Sequence, residues 1–272
     1  MPVTPYPSSV VYTVLFGGYE TLDNEQFVGD RDIPFICFTD EPDLTSDVWE
    51  IHVIEPLYPN DLPRSQRDIK IRGCQELDQF DRTLYIDNSV SLTGPASIIL
   101  DGWLSSHDLA VPAHSFHQTV LDEFLAVLTL GFDDPTTVDE QLAHYAETDR
   151  RVLGERPSRN GMIARRNTPE VLGTMSQWFE EVLRYSRRDQ LSANVTFART
   201  GIPVNRVAID NNQSDVHRWP VELGRSATAR VVRQDRGSPN LDRVRQLQQE
   251  FAEQHAGSPS PVSPRALDGA VR

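Results

Sequence analysis

Lysine is nearly missing from this chain: of 26 basic residues among 272, Lys70 is the one lysine and the rest are arginines. That bias suits a GC-rich genome or a high-salt cytoplasm, and composition does not choose between them. Cysteine is scarce too. Cys37 and Cys74 show no Cys-x-x-Cys spacing, which argues against a disulfide framework or a cysteine-built zinc site and leaves buried thiols as the expectation. No apolar run approaches the roughly 20 residues a membrane-spanning helix requires, so a spanning protein is excluded. Residues 1–9 hold prolines and no basic segment followed by an apolar one, so no secretory signal is expected and the chain is placed in the cytoplasm. Positive charge is also in short supply: 26 bases face 40 acids, a net charge of −14 and a pI of about 4.9. This balance argues against nonspecific binding to nucleic acid or to anionic membranes, both of which need positive patches.

What is present is an alternation of strand and helix signals, at a length that suits one large α/β domain with a tail. Residues 10–16 (VVYTVLF) form a β-branched and aromatic run into Gly17-Gly18; 33–39 (IPFICFT) and 48–55 (VWEIHVIE) repeat the strand signal. Apolar residues at three- and four-residue spacing predict an amphipathic helix within 62–80, carrying Arg64, Arg67, Lys70 and Arg72. Residues 82–86 (RTLYI) read as a buried strand ending in Asp87-Asn88-Ser89. Helices are expected at 95–104, 120–130 and 136–148, and strands at 107–113 and 160–166. Thr168-Pro169 opens a further helix with a capping hydroxyl and a proline in its first position. The helix at 188–200 stops at Gly201, and residues 204–209 are expected to close the sheet. The domain reading is a flexible N-terminus at 1–9, a main domain at 10–220, a linker and amphipathic helix at 221–255, and a Ser/Pro-rich disordered tail at 256–272. That last helix docks on the core or on a partner, including a second copy of the chain.

The strongest chemical signal is a carboxylate, Asp87, delivered at the end of a buried strand. Ligands of open α/β sheets gather outside the carboxyl ends of strands, which suits an Asp holding a divalent cation against phosphate oxygens. Asp-Asn-Ser is equally ordinary turn chemistry.

Taken in order, the segments YTVLFGGYETL (12–22), FICFTDEP (35–42), the basic helix at 64–70, RTLYIDNSVSL (82–92) and RRDQLSANV (187–195) resemble a glycosyltransferase of the GT-A type. More closely, the chain resembles the glycosyltransferase-like family that includes the plant turgor-regulation and seed-mucilage proteins and bacterial relatives, over roughly residues 10–220. The resemblance implies an α/β, GT-A-like three-layer fold with a mostly parallel mixed sheet between helices. It also implies transfer of a sugar from a nucleotide-sugar donor to a hydroxyl of a glycan or glycolipid, with a divalent cation, manganese or magnesium.

Carried over residue by residue, the resemblance places Phe16, Gly17, Gly18 and Tyr19 around the nucleotide, with Lys70 and Arg67 on the diphosphate. Asp87 and Ser89 fall on the metal motif, which here lacks its second carboxylate, and His217 is positioned as a late third ligand. Asp189 and Gln190 take the catalytic, sugar-holding position, followed by Asn194. His114, Glu123 and Arg165 are assigned to sugar or acceptor, with His117 standing where the family pattern has an arginine. For each of these the plainer reading is structural: Lys70 on a solvated helix face, Asp189 as a helix N-terminal acid, His217 as a loop histidine. Two other classes compete. A noncatalytic carbohydrate- or nucleotide-sugar-binding descendant would explain the missing carboxylate, whereas a haloacid-dehalogenase-type phosphatase wants an Asp where Ser89 stands.

Overall fold

The structure, a computed structural model, describes residues 8–29, 32–219 and 241–255. In chain order its strands are β1 (Ser9–Leu15), β2 (Phe35–Thr39), β3 (Glu50–Val53), β4 (Arg82–Ile86), β5 (Ser91–Leu92), β6 (Leu109–Pro112), β7 (Met162–Arg166), β8 (Val204–Val207) and β9 (His217–Arg218). The helices are α1 (Leu62–Arg72), α2 (Ala96–Trp103), α3 (Val120–Leu130), α4 (Pro135–Thr148), α5 (Arg150–Leu153), α6 (Pro169–Arg184), α7 (Gln190–Thr200) and α8 (Leu241–His255).

Seven strands form one sheet in the order β3-β2-β1-β4-β7-β6-β8. β1 pairs in parallel with β2 and β4, and β2 with β3. β7 runs antiparallel to β4 and β6, while β6 and β8 are parallel. β5 and β9 make a separate antiparallel pair. The sheet is buried on both faces. Val10, Tyr12 and Val14 of β1 face a cluster with Ile71 of α1 and Val171, Met175 and Trp178 of α6. Val11 and Leu15 face the opposite cluster, with Ile99, Leu100 and Trp103 of α2. Alternate residues of one strand thus enter two cores, as the two-residue period of a strand requires. This is the expected three-layer arrangement.

Local sequence explains where the elements begin and end. Thr168 accepts from Val171 N at the start of α6, and Pro169 occupies a first-turn position where its missing N–H costs nothing. Thr119 and Asp122 form a reciprocal capping box on α3. The helix expected within 62–80 is shorter than its apolar spacing implies: it ends at Arg72 because Gly73 takes a left-handed φ of 81°, and a single tight turn (Gln75–Leu77) follows.

The C-terminal helix docks on its own chain. Val244 and Leu247 of α8 are buried against a third cluster with Leu121 and Phe124 of α3, and Gln248 donates to Asp122 Oδ1 at 3.0 Å. The apolar face of α8 is thus packed within the chain. The linker at 220–240 and the tail at 256–272 lie outside the described residues, as do residues 1–7. Among the described residues no helix is long and apolar enough to cross a membrane.

Candidate active site

Because β7 is antiparallel to β4, the segment entering β7 lies at the edge where β4 ends, and Asp87 N donates to Gly161 O across it at 2.8 Å. The loops after β1 and β4, the loop before β7, α1 and the start of α7 converge there on a cavity of about 360 Å³. Tyr19, Lys70, Asp87, Arg159, Asn160 and Asp189 are among its walls.

Lys70 sits at the centre. Its side chain is 2% exposed, and Nζ lies 2.9 Å from Asp189 Oδ2 and 3.3 Å from Asp87 Oδ1. Arg67, one helical turn earlier, places Nε 3.3 Å from Asp189 Oδ1. The Tyr85 hydroxyl donates to Asp87 Oδ1 at 2.7 Å and accepts from Gln66 Nε2 at 2.6 Å. Burial alone would raise both carboxyls; Lys70 and Arg67 outweigh it and hold Asp87 and Asp189 below the usual carboxylate range. Both are therefore carboxylates at neutral pH. Trp178 of α6, fully buried, donates its indole N–H to Asp189 O at 3.1 Å and so fixes the start of α7.

Three wall residues were not foreseen. Arg159 is partly buried, lies 4.1 Å over the Trp219 ring and donates to Gln190 Oε1 at 3.3 Å. The indole N–H of Trp219 donates to Ser89 Oγ at 3.1 Å. Asn160 is 1% exposed, yet both ends of its amide lack a hydrogen-bond partner, as does Gln190 Nε2. Amides without a protein partner on a cavity wall are free to exchange hydrogen bonds with what enters the cavity. The signal for Arg159 and Asn160 was the Asn160-Gly161 turn before a strand; only the antiparallel placement of that strand brings it to the site.

Several expected residues sit elsewhere. Phe16 is buried in the core between sheet and helices. Gly17 and Gly18 form a left-handed turn that approaches Leu62 and Glu41 closely, so their lack of Cβ serves this packing. Tyr19 does line the cavity. Arg165 does not: its strand is covered on both faces, and the guanidinium donates to Thr83 Oγ1 at 3.1 Å and to Ile71 O, tying β7 to β4 and α1. Asn194 is buried too, donating to Arg156 O at 2.9 Å and accepting from Ser158 N and Arg206, which pins the loop that carries Arg159 and Asn160.

Each donor expected to hold a cation already has a partner within the chain. Asp87 Oδ1 is taken by Lys70 and Tyr85, and Ser89 Oγ by Trp219. His217 has Nδ1 2.7 Å from Ser214 Oγ and Nε2 3.2 Å from Asn211 O, so both ring nitrogens are engaged away from Asp87. A second group, His114, His117 and Glu123, brings its ligand atoms within 4.8 Å of one another, close enough to share an ion. Its hydrogen bonding favours a different use. His114 Nδ1 accepts from the backbone N–H of Phe116 and His117, so the neutral ring carries its proton on Nε2, facing Glu123, and has no lone pair left there for a metal. His117 Nδ1 meets Glu123 Oε2 at 2.7 Å, and Glu123 Oε1 lies 3.8 Å from Arg188 on the cavity wall.

A mostly parallel mixed sheet between helices, with a charged cleft outside the carboxyl ends of its first and fourth strands, is a GT-A-like architecture of the sugar-transferase class. The family described as TOD1/MUCI70, glycosyltransferase-like domain, matches residues 77–212, half of the chain, and the protein belongs to this family. Among solved structures, mouse xyloside xylosyltransferase 1 in its apo form is similar, with a TM-score of 0.43 and 9% identity, over 72% of this chain and 84% of that one. No curated protein matches the chain.

Proposed function

We propose that the protein is a nucleotide-sugar-dependent glycosyltransferase acting on a hydroxyl of a glycan or glycolipid. The observation that carries this reading is the cavity in which Lys70, Asp87, Asp189 and Gln190 converge with the unpaired amide of Asn160. Its two kinds of chemistry match the two halves of a diphospho-sugar. The cationic groups neutralise the charge that grows on the diphosphate as the glycosidic bond breaks. The amides of Asn160 and Gln190 exchange hydrogen bonds with sugar hydroxyls.

Asp189 is a poor general base, because its pKa lies well below neutral pH. Its role in this reading is electrostatic: a fixed carboxylate beside the anomeric carbon stabilises the positive charge that develops there. In this reading the protein's own cations serve the diphosphate half in place of a resident divalent cation.

The test is release of nucleotide from a panel of UDP- and GDP-sugars, with and without added saccharide acceptors. Asp189→Asn keeps the shape of the cleft and is expected to lower turnover by about 100-fold or more. Ser89, held by Trp219 where the family has a carboxylate, favours one second reading, a nucleotide-sugar binder without turnover. Donor-dependent stabilisation without nucleotide release identifies that binder, and the lack of both overturns the proposal.

A further inference from the structure

We propose that the cleft neutralises a nucleoside diphosphate with the protein's own cations, Arg159 foremost, and binds it without a divalent metal. This inference rests on the nucleotide-sugar reading and narrows it.

Four cationic side chains line the cavity, Arg67, Lys70, Arg159 and Arg188, against three carboxylates, Glu20, Asp87 and Asp189. The cations are not equivalent. Lys70 and Arg67 are compensated by Asp87 and Asp189, and Arg188 lies 3.8 Å from Glu123. Arg159 forms no ion pair among the described residues; its contacts are the Trp219 ring and the neutral Gln190 amide. Burial, together with Arg188, lowers its pKa against the opposing pull of Asp87, Glu123 and Asp189, none of which lies within ion-pair distance. Such a group is held at a cost, which an arriving anion offsets, and its planar fork matches two phosphate oxygens at once.

The arrangement also explains Ser89. At the position that the resemblance assigns to a second metal carboxylate, a hydroxyl accepts from the Trp219 indole, and that indole is the platform on which Arg159 lies. Ser89 and the seated guanidinium are thus joined through one indole. A divalent cation entering beside Asp87 would meet Lys70 at 3.3 Å from the same oxygen and Arg159 across the cavity, so repulsion works against it.

The experiment is calorimetric titration of the full chain with UDP, GDP and inorganic pyrophosphate, in EDTA and again in manganese. The expected result is that at least one nucleotide binds in EDTA with an affinity within roughly threefold of that in manganese. Arg159→Gln is expected to weaken it by about 10- to 100-fold in both buffers, and Arg159→Lys, which keeps charge but not the fork, by less. Circular dichroism establishes that each variant is folded; should Arg159→Gln not fold, Arg159→Lys and Trp219→Phe carry the comparison. A second measurement uses Lys70→Ala, which leaves Asp87 and Asp189 without their shared ammonium: manganese should raise the melting temperature of this variant and leave that of the unaltered chain unchanged. Nucleotide binding that appears only with manganese, or that is indifferent to Arg159, overturns the inference and leaves the nucleotide reading intact. Absence of binding by all three probes in both buffers overturns that reading as well.

Discussion

The ammonium of Lys70 lies 2.9 Å from the carboxylate of Asp189, with both side chains almost fully buried, 2% and 3% exposed. The two residues are far apart in sequence, on α1 and at the start of α7, so the pair joins the helix that follows β3 to the helix that carries Gln190. Removing one member of a buried pair leaves the other's charge uncompensated, typically at about 3–5 kcal/mol. Lys70→Met is therefore expected to lower stability by that order in urea unfolding. Adding Asp189→Asn to it should recover part of the loss, because one of the two stranded carboxylates is then gone. A loss under about 1 kcal/mol in the single variant would show that water reaches the pair and that it behaves like a surface salt bridge.

Asn160 and Asn194 allow a cleaner separation of binding from folding. Both are buried, but Asn194 uses its amide on Arg156, Ser158 and Arg206 whereas the Asn160 amide has no partner. Truncating Asn194 to Ala leaves buried groups unmatched and should cost about 1–3 kcal/mol of stability. Asn160→Ala removes an amide whose hydrogen bonds are already unmade, so its thermal midpoint should hold or rise. Its KM for the donor sugar is nevertheless expected to increase by about tenfold, the loss of a hydrogen bond or two to ligand. Parallel loss of stability and affinity in Asn160→Ala would place the residue among the structural asparagines instead.

How far the sequence led follows from the range of each interaction. β4 and α3 fall at the boundaries expected from apolar runs, and α6 begins at its Thr-Pro signal, because strand period and helix caps are local. The convergence of Asp87, Lys70 and Asp189 was legible through motif order, since each lies on a segment of recognisable type. Arg165 is assigned to sugar or acceptor by the resemblance alone. A strand covered on both faces has no polar side, however, and its guanidinium turned inward to Thr83 and Ile71. Arg159 and Trp219 escaped notice for the opposite reason. They sit 60 positions apart on irregular segments, and no local pattern announces that a guanidinium will lie on that indole.

His114 and His117 predict a pH dependence whose sign differs between the two rings. Burial, with His117 beside it, takes His114 from its ordinary value of 6.5 down to about 4, whereas the hydrogen bond to Glu123 raises His117. A histidine depressed in the folded state contributes stability that is present above pH 6.5 and is lost as the pH falls toward about 4, since the unfolded chain takes up the proton first. His117 works in the other direction, gaining as the pH falls, so the net slope of the wild-type curve mixes the two. His114→Asn separates them. Its side-chain oxygen can accept from the amides of Phe116 and His117 in place of Nδ1, preserving the turn without a titrating ring. Stability measured by urea unfolding between pH 7 and 5 should then decline less steeply on acidification than in the wild type, or rise. An unchanged slope would mean that His114 stays solvated enough to protonate in the folded chain, and that Glu123 is then bridged by two charged rings.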